Sequence, residues 1–398
     1  MYRARVRHWI HGNGDDPGRL PPDERRNGGP AHVAMAKAWQ MRKAEAGYAC
    51  IAWPIEWGGA GGTALQQAIF SEEEARAGLN FTYFMIGLGI CLPAVIQYAG
   101  MDVRDALVRP AVRGETLWCQ LFSEPSAGSD VAGARTRAVR DGEDWIVDGQ
   151  KVWTSNAHEA DYGLLLARTD PSAPKHSGLT MFWVDMRSKG IDVRPLRQMS
   201  GSAEFNEVFL SGVRIPDSQR VGALGEGWKV TLATLMNERL SIGGHAGLGW
   251  KEMIEVLRGA SFGGERVLDN GAFRHRLAEW YVNASALQQL TRRNLARLAA
   301  GEAGGPEAAI GKLVSSNQTQ ELTSQTIEML GEFGLVSDPS LAPMAAAFQR
   351  RWLEAPALRI GGGTDEILKN IIAERILGLP PEPRADKGIA FDQLPVSR

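Results

Sequence analysis

The sequence lacks several features that would set it apart from ordinary globular proteins. Its 398 residues include only three cysteines, without the paired spacing of disulfide frameworks or metal sites. Lys and Arg number 44 against 46 Asp and Glu, so no excess of positive charge indicates a nucleic-acid partner. The 44% of hydrophobic residues excludes a disordered chain. We therefore expect a globular protein of two or three domains that binds no nucleic acid.

Long hydrophobic runs are also scarce. The uncharged segment Leu79–Ile96 approaches the length of a membrane-spanning helix, but Gly87, Gly89 and Pro93 interrupt it. It is more typical of a helix buried on all sides in a large protein. The arginines among the first ten residues are not followed by the apolar stretch of a signal peptide. We predict a cytoplasmic protein without a membrane span.

Glycine is abundant, with 46 residues, and the predicted elements change type twice along the chain. Helical periodicity at 31–49, 63–76 and 102–112 is followed by short β-rich runs, with hairpin signals at 140–142 and 147–149. Helical patterns return at 228–258, 272–300, 306–333, 340–357 and 365–377. We predict an α+β multi-domain protein: an N-terminal helical domain (1–115), a central β-barrel or β-sandwich (116–222), a C-terminal four-helix-bundle-like domain (223–380) and a loosely held tail (381–398).

Two polar segments of the predicted β domain could face a flat ligand. Phe122–Asp130 follows a strand and offers hydroxyls and free backbone N–H groups, although it could equally be a loop capped by its own side chains. Asp148–Asn156 is predicted as a β-turn-β element with Trp153 beside two hydroxyls. Because a strand tryptophan usually packs in the core, the residues alone leave both interpretations open.

Two further segments belong to the C-terminal helical region. Glu238 lies near the apolar stripe of a helix, where a carboxylate is either paired and half-buried or poised as a base; the residues alone favour the first alternative. Gly361-Gly362-Gly363 leads through Thr364 into a helix start, which could bind an electron-rich oxygen or simply connect two helices.

Together these segments resemble the acyl-CoA dehydrogenase family. Phe122–Asp130, Lys151–Asn156 and Gly362-Gly363-Thr364 follow the family's order and spacing, and the resemblance covers roughly residues 30–380. Bacterial members of the two-subunit type look most similar, on the strength of Leu358–Leu379 and Trp53–Gly59. The resemblance implies an FAD-dependent enzyme that converts an acyl-CoA thioester to the 2-enoyl-CoA, with an electron-transfer flavoprotein as the expected acceptor.

The resemblance also implies roles for individual residues. The implied cofactor residues are Phe122, Ser123, Gly128, Ser129, Trp153, Ser155, Thr364 and Glu366. Trp153 would pack against the isoalloxazine and Ser155 would bond near the flavin N5. Ser129, Arg239 and Gly361 would contact the substrate, and the glycines at 361 and 362 would leave room for bulky or branched acyl groups.

The implied base depends on which family pattern applies. Many members carry it directly before the glycine–threonine pair, where this sequence has Gly362, which cannot accept a proton. Others place it before a helix arginine, and here Glu238 precedes Arg239. The resemblance therefore implies that Glu238 takes the proton, that the Gly362 N–H holds the thioester oxygen, and that a hydride passes to flavin N5.

Two family motifs that reach across subunits are weakened. Gly259–Gly263 keeps only Phe262 and Gly263 of an Arg-x-x-Phe-Gly stretch, and Glu328–Glu332 lacks the Gln and the second Gly of another motif. A homotetramer and an α2β2 heterotetramer therefore both stay open. So do a non-catalytic or FAD-sharing subunit of a heteromeric acyl-CoA dehydrogenase, a flavin oxidase or monooxygenase on this scaffold, and a helical interaction protein.

Overall fold

A computed structural model describes residues 1–16, 28–79, 81–242, 248–299 and 305–395. The chain divides into two compact units. The first unit contains Met1–Glu238 together with Pro383–Arg398, and the second contains Arg239–Glu382.

Helices occupy the N-terminal part of the first unit. They are α1 (Tyr2–Asn13), α2 (Pro30–Glu45), α3 (Ala64–Arg76), α4 (Tyr83–Ile86), α5 (Leu92–Tyr98) and α6 (Met101–Val112), and the π-helical turn Gly87–Cys91 joins α4 to α5. This confirms the helices predicted at 31–49, 63–76 and 102–112. Thr63 starts α3 with a capping box, in which its hydroxyl and the Gln66 side chain each accept the other residue's backbone N–H.

Most described residues of the apolar segment Leu79–Ile96 are buried or half-buried, in agreement with the prediction of a buried segment. Ile90, Leu92, Ala94 and Val95 in it are inaccessible to solvent and belong to the core cluster that α6 also joins. Among the described residues, no helix is both long and apolar enough to cross a membrane.

Helix α1 is not predicted by the sequence. Only Val6 and Ile10 on it are buried, and two apolar positions are too few to show the periodicity of a helix. Its arginines are structural, because Arg7 Nε and Arg3 Nη1 donate to the buried Glu73 of α3 at 2.7 and 2.8 Å. These hydrogen bonds, led by the one from Arg7, lower the pKa of Glu73 to about 2.

The central part of the first unit is one eight-stranded mixed sheet. Its strands are β1 (Trp118–Leu121), β2 (Arg137–Asp141), β3 (Asp144–Ser155), β4 (Tyr162–Arg168), β5 (Leu179–Asp185), β6 (Ile191–Leu196), β7 (Phe205–Pro216) and β8 (Arg220–Val221). They are ordered β6-β7-β3-β2-β4-β5-β8, and β1 pairs in parallel with β4. Val147, Phe182, Val208 and Val213 fill its core.

One of the two predicted hairpins is confirmed and the other is wrong. The signal at 140–142 marks the end of β2 and a two-residue turn at Gly142 and Glu143, across which Asp141 pairs with Asp144. At Gly149, however, β3 continues with only a shift in register against β7. A Cβ at Gly149 would lie 2.4 Å from Thr136 Oγ1, so this glycine permits a close approach of two backbones and does not form a turn. Asp148–Ser155 is therefore part of one bulged strand, and Asn156 follows the end of that strand.

Helices form the second unit. Helix α7 (Gly227–Ile242) leads into it, and α8 (Trp250–Leu257), α9 (Gly271–Ala299), α10 (Ala308–Met329), α11 (Ala347–Leu358) and α12 (Asp365–Ile371) follow. Their core includes Met253, Trp280, Leu322 and Phe348.

The predicted helical stretches are confirmed in part. The stretch 340–357 is α-helical only from Ala347, because Met344, Ala345 and Ala346 before it have positive φ values. The helix of the stretch 306–333 ends at Met329. Residues 243–247 of the stretch 228–258 and residue 300 of the stretch 272–300 lie outside the described part of the chain.

The prediction of a loosely held tail is wrong for residues 383–395. Phe391 is buried, and its N–H donates to the Ala173 carbonyl at 3.0 Å. Lys175 Nζ lies 2.6 Å from Asp386 Oδ2. The prolines do indicate a segment without regular structure, but its partners are distant in sequence and leave no local pattern.

Candidate active site

The segment Phe122–Asp130 forms a tight turn after β1. Glu124 and Ala127 exchange two backbone hydrogen bonds of 3.0 Å, which closes the turn. Gly128 and Ser129 beyond it are exposed. Apart from its chain neighbours, no described residue has an atom within 4 Å of the place that a Cβ on Gly128 would take. The turn therefore presents open backbone at Gly128 and the side chains of two exposed serines, Ser126 and Ser129, which suits close approach by a phosphate-bearing ligand.

A buried ion pair fixes this turn from the inside. Lys151 on β3 is 0% exposed, and its Nζ lies 2.7 Å from Glu124 Oε1 and 3.1 Å from the Phe122 carbonyl. Glu124 also accepts the backbone N–H groups of Arg135 and Thr136 at 2.6 and 2.9 Å. Burial opposes its ionisation, but Lys151 and these donors together lower its pKa. Glu124 is thus a carboxylate at neutral pH.

Trp153 lies at a second irregularity of β3. The register against β7 shifts between Lys151 and Thr154, and Trp153 has a φ of +60°, in the left-handed region that bulky residues rarely adopt. The bulge turns the indole outward, leaving it 61% exposed with its ring edge-on to Phe205 at 6.0 Å between centroids. The core alternative for Trp153 is therefore wrong.

The turn and the tryptophan bulge are neighbours. Val152 N–H donates to the Ser123 carbonyl at 2.9 Å, so the strand segment next to Trp153 runs beside the start of the turn. Ser155 is half-buried. The buried Thr154 hydroxyl has no hydrogen-bond partner among the described residues. The structure thus brings Phe122 and Ser123 beside the strand segment that contains Trp153 and Ser155. Gly128 and Ser129 lie at the end of the same turn.

Glu238 lies on α7 in a half-buried position. Gln120 of β1 donates to it, with Nε2 at 3.4 Å from Oε2. The buried Cys91 is also near, because Glu238 contributes to a raised Cys91 pKa, after burial and the neighbouring Cys119. Glu238 therefore lies near both the Gln120 amide and the apolar core cluster that contains Cys91. The side chain of Arg239, the predicted substrate contact that follows it, lies outside the described part of the chain.

The glycine loop Gly361–Thr364 belongs to the second unit. Gly362 and Gly363 have φ values of +68° and +97°, which glycine adopts without strain. Thr364 starts α12 and its hydroxyl accepts the Ile367 N–H at 3.3 Å. In the described part of the chain, the Gly362 N–H donates to no acceptor. Gly361 and Glu366 are exposed.

A second buried carboxylate fixes this loop. Asp365 Oδ2 accepts from Arg359 Nε at 2.8 Å and from Asn317 Nδ2 at 3.1 Å. Lys312 Nζ donates to the Gly363 carbonyl at 2.5 Å. Burial opposes ionisation of Asp365, but Arg359 and Asn317 lower its pKa below the usual value.

Sequence reasoning missed three of these supporting residues. No role is predicted for Glu124, although it lies inside the polar motif, and none for Lys151, a charge within a β-rich run. Gln120 carries no sequence signal, since its contact with Glu238 spans 118 residues.

Comparisons with known proteins match most of the chain. Three family models fit it: the N-terminal domain of acyl-CoA dehydrogenase at residues 23–115, the middle domain at 119–213 and the C-terminal domain at 225–377. Among relatives, it is 38% identical to acyl-CoA dehydrogenase FadE34 of Mycobacterium tuberculosis over 86% of this chain and 46% of that protein. It is 34% identical to acyl-CoA dehydrogenase IpdE1 of the same organism over 96% of this chain and 98% of that one.

Solved structures agree with the relatives. The Tcur3481-Tcur3483 steroid ACAD superposes with a TM-score of 0.81 at 28% identity, covering 96% of this chain and 97% of that one. The ChsE4-ChsE5 complex from Mycobacterium tuberculosis superposes with a TM-score of 0.77 at 27% identity, over the same shares. The chain spans about half the length of FadE34 but nearly all of IpdE1. It belongs to the acyl-CoA dehydrogenase family and is an oxidoreductase that acts on acyl-CoA.

Proposed function

We propose that this chain binds FAD at the Phe122–Asp130 turn and beside Trp153, and that it converts an acyl-CoA thioester to the 2-enoyl-CoA with Glu238 as the base. The observation that carries the proposal is Trp153. Its positive φ and exposed ring are costly for a strand residue, and such strain is typical of functional positions.

The residues of the first unit fit a flavin dinucleotide. The open space at Gly128 lets a pyrophosphate approach the backbone, and the exposed Ser129 hydroxyl can donate to it. The outward indole of Trp153 offers a flat face for a ring system, with Ser155 two residues away as a donor. When bound, FAD supplies the hydride acceptor that no side chain can provide. Thr364 and Glu366 would contact its adenine-dinucleotide part.

Glu238 is the carboxylate best suited to take the α-proton. An α C–H beside a thioester is a very weak acid, so its removal needs a positioned base and a donor for the developing enolate oxygen. Gln120 orients Glu238, and an acyl chain that excludes water from its apolar surroundings would make the carboxylate a stronger base. The Gly362 N–H would hold the thioester oxygen; losing such a donor typically costs about 3 kcal/mol.

The acyl group that we propose is bulky, as in a branched or steroid side chain. Glycines at 361 and 362 present no side chain, and one superposed structure is a steroid ACAD. Ser129, Arg239 and Gly361 would contact this substrate. We expect an electron-transfer flavoprotein as the electron acceptor and the cytoplasm as the compartment.

An FAD-sharing assembly with a partner chain is the second candidate. Gly259 stands where a cross-subunit motif of the family has an arginine, and Phe262 of the same motif is exposed. In the second unit, Phe333, Leu335 and Leu341 are also exposed apolar side chains. A superposed relative is a complex of two named chains. An α2β2 heterotetramer would supply the lost contacts, whereas a homotetramer would leave them unmade.

The visible spectrum of the purified protein tests both candidates. We expect bound flavin that bleaches anaerobically with ring-bearing or branched acyl-CoA thioesters, at a kcat/KM above that for straight chains. Glu238→Gln should keep the flavin and lose bleaching by at least about 10³-fold, because the amide cannot accept the proton. Bleaching at the normal rate would refute the base assignment. A chain that is colourless alone but yellow with its partner would favour the shared site, and one that binds no flavin in either state would refute FAD binding.

A further inference from the structure

The C-terminal segment 383–395 lies beyond the residues matched by the family models and packs on the first unit. Backbone hydrogen bonds attach it to the loop after β4: Phe391 N–H donates to Ala173 and Asp392 N–H to Pro171, each at 3.0 Å. Pro174 and Ala390 form an antiparallel bridge. The segment therefore packs against the loop between β4 and β5, which contains Lys175.

Lys175 links this segment to the cofactor turn, Phe122–Asp130. Its Nζ lies 2.6 Å from Asp386 Oδ2 and 2.8 Å from Asp130 Oδ2, so one ammonium group is shared by the tail and by the last residue of the turn. Arg384 holds Asp386 from the other side at 3.0 Å. Without Asp386, the Asp130–Lys175 contact becomes an ordinary surface pair that solvent competes for.

Arg168 forms a second link. This buried arginine donates to the carbonyls of Ala132 and Ala134 at 2.6 and 3.0 Å and to the Lys175 carbonyl at 3.0 Å. Its Cζ lies 3.5 Å from the centroid of the Phe391 ring. The ring thus covers the guanidinium, excludes water from it and favours its charge by a cation–π contact. The hydrogen bonds to these three carbonyls therefore come from a guanidinium that Phe391 of the tail covers.

From these contacts we propose that the C-terminal segment is a positioning element for FAD binding: Asp386 through Lys175, and Phe391 through Arg168, hold residues 128–134 in the conformation that receives the pyrophosphate. The inference rests on the proposed FAD site. Within the described residues, Asp386 and Phe391 act on the cofactor turn through Lys175 and Arg168, without a hydrogen bond or ion pair of their own to residues 122–130. Loss of either should therefore weaken FAD binding and leave kcat at saturating FAD unchanged, whereas a merely structural contact would change only the thermal stability.

The test uses the full-length chain in the assembly in which it purifies. Phe391→Ala removes the ring, and Asp386→Asn removes the tail's charge on Lys175. Asp386→Glu keeps the pairing, and Asp392→Asn is a matched control because Asp392 lies in the same segment with an exposed side chain. The readouts are the FAD dissociation constant, kcat at saturating FAD, and hydrogen–deuterium exchange of amides 128–134 in the flavin-free protein.

We expect the FAD dissociation constant to rise about tenfold in Phe391→Ala and about threefold in Asp386→Asn, with faster exchange at 128–134 in both. Asp386→Glu and Asp392→Asn should match the wild type. Unchanged exchange would overturn the inference, and so would faster exchange with wild-type FAD affinity. If Phe391→Ala fails to fold, Asp386→Asn decides. A wild-type protein that binds no FAD would refute the proposed site and this inference with it, and the exchange data would still show whether the tail orders the turn.

Discussion

The cofactor turn (Phe122–Asp130) and the glycine loop (Gly361–Thr364) are each fixed by one buried carboxylate, but in different surroundings. Glu124 is paired with Lys151, whose side chain is fully buried. Asp365 is paired with Arg359, whose side chain is 41% exposed. Both oxygens of Glu124 accept hydrogen bonds, whereas Asp365 Oδ1 has no partner among the described residues. The first loop should thus be held more rigidly and depend more strongly on its cation.

Removing the buried cation should have the largest effect. Lys151→Met leaves the Glu124 carboxylate uncompensated in a dry environment, and we expect a loss of about 3–5 kcal/mol in the free energy of unfolding. Urea unfolding measures it. Lys387→Met, the same substitution at an exposed lysine, is the control and should change little. A loss below about 1 kcal/mol would mean that the backbone N–H groups of Arg135 and Thr136 are enough to stabilise the Glu124 carboxylate.

A smaller effect is expected where the glycine loop needs its backbone conformation. Gly363→Ala places a Cβ on a residue with a φ of +97°, which should destabilise the chain by about 2 kcal/mol. Gly361→Ala is the matched control: its φ is not positive, and the added Cβ would lie 3.4 Å from the Ala357 carbonyl oxygen, an ordinary contact. Equal urea midpoints for the two variants would contradict the strain argument.

The half-exposed cation of the glycine loop should matter less than Lys151. Arg359→Met removes the pair with Asp365, but solvent and Asn317 remain to stabilise the carboxylate. We expect a loss of about 1 kcal/mol in the free energy of unfolding. If this loss equals or exceeds that of Lys151→Met, exposure of the cation does not distinguish the two loops.

Acid should weaken both loops. Glu124 and Asp365 have folded-state pKa values below their ordinary values of 4.5 and 3.8. Each therefore stabilises the fold above those values, and the contribution is lost as the pH falls through the lowered pKa. Glu124→Gln and Asp365→Asn should each flatten the decline in unfolding free energy below about pH 4.5, measured by urea titration at several pH values. A decline as steep as in the wild type would exclude these groups as its cause.

The sequence predicts the position of both loops but not what fixes them. The motifs that contain Gly128, Trp153 and Gly362 are short stretches of neighbouring residues, so periodicity and turn residues predict where they lie. The Glu124–Lys151 pair, the Gln120–Glu238 contact and the packing of the tail join distant segments, so no local pattern encodes them. The turn predicted at Gly149 is wrong and the core alternative for Trp153 is excluded for one reason: a bulge lets a strand continue through residues that otherwise indicate a turn or a core position.

Among these variants, Gly128→Ala in the cofactor turn should change the free energy of unfolding least. It therefore tests FAD binding at the turn without a large change in stability. Among the residues that the structure describes, none outside its chain neighbours lies within 4 Å of a Cβ at Gly128, and its φ is not positive. Gly128→Ala should therefore alter the free energy of unfolding by less than about 0.5 kcal/mol. The same methyl group would occupy the space that we assign to the FAD pyrophosphate, so the FAD dissociation constant should rise about tenfold or more. Gly100 gives the matched control, since it is also open and has an ordinary φ of −64°. Unchanged FAD affinity in Gly128→Ala would show that the open space at this turn is not where the cofactor binds.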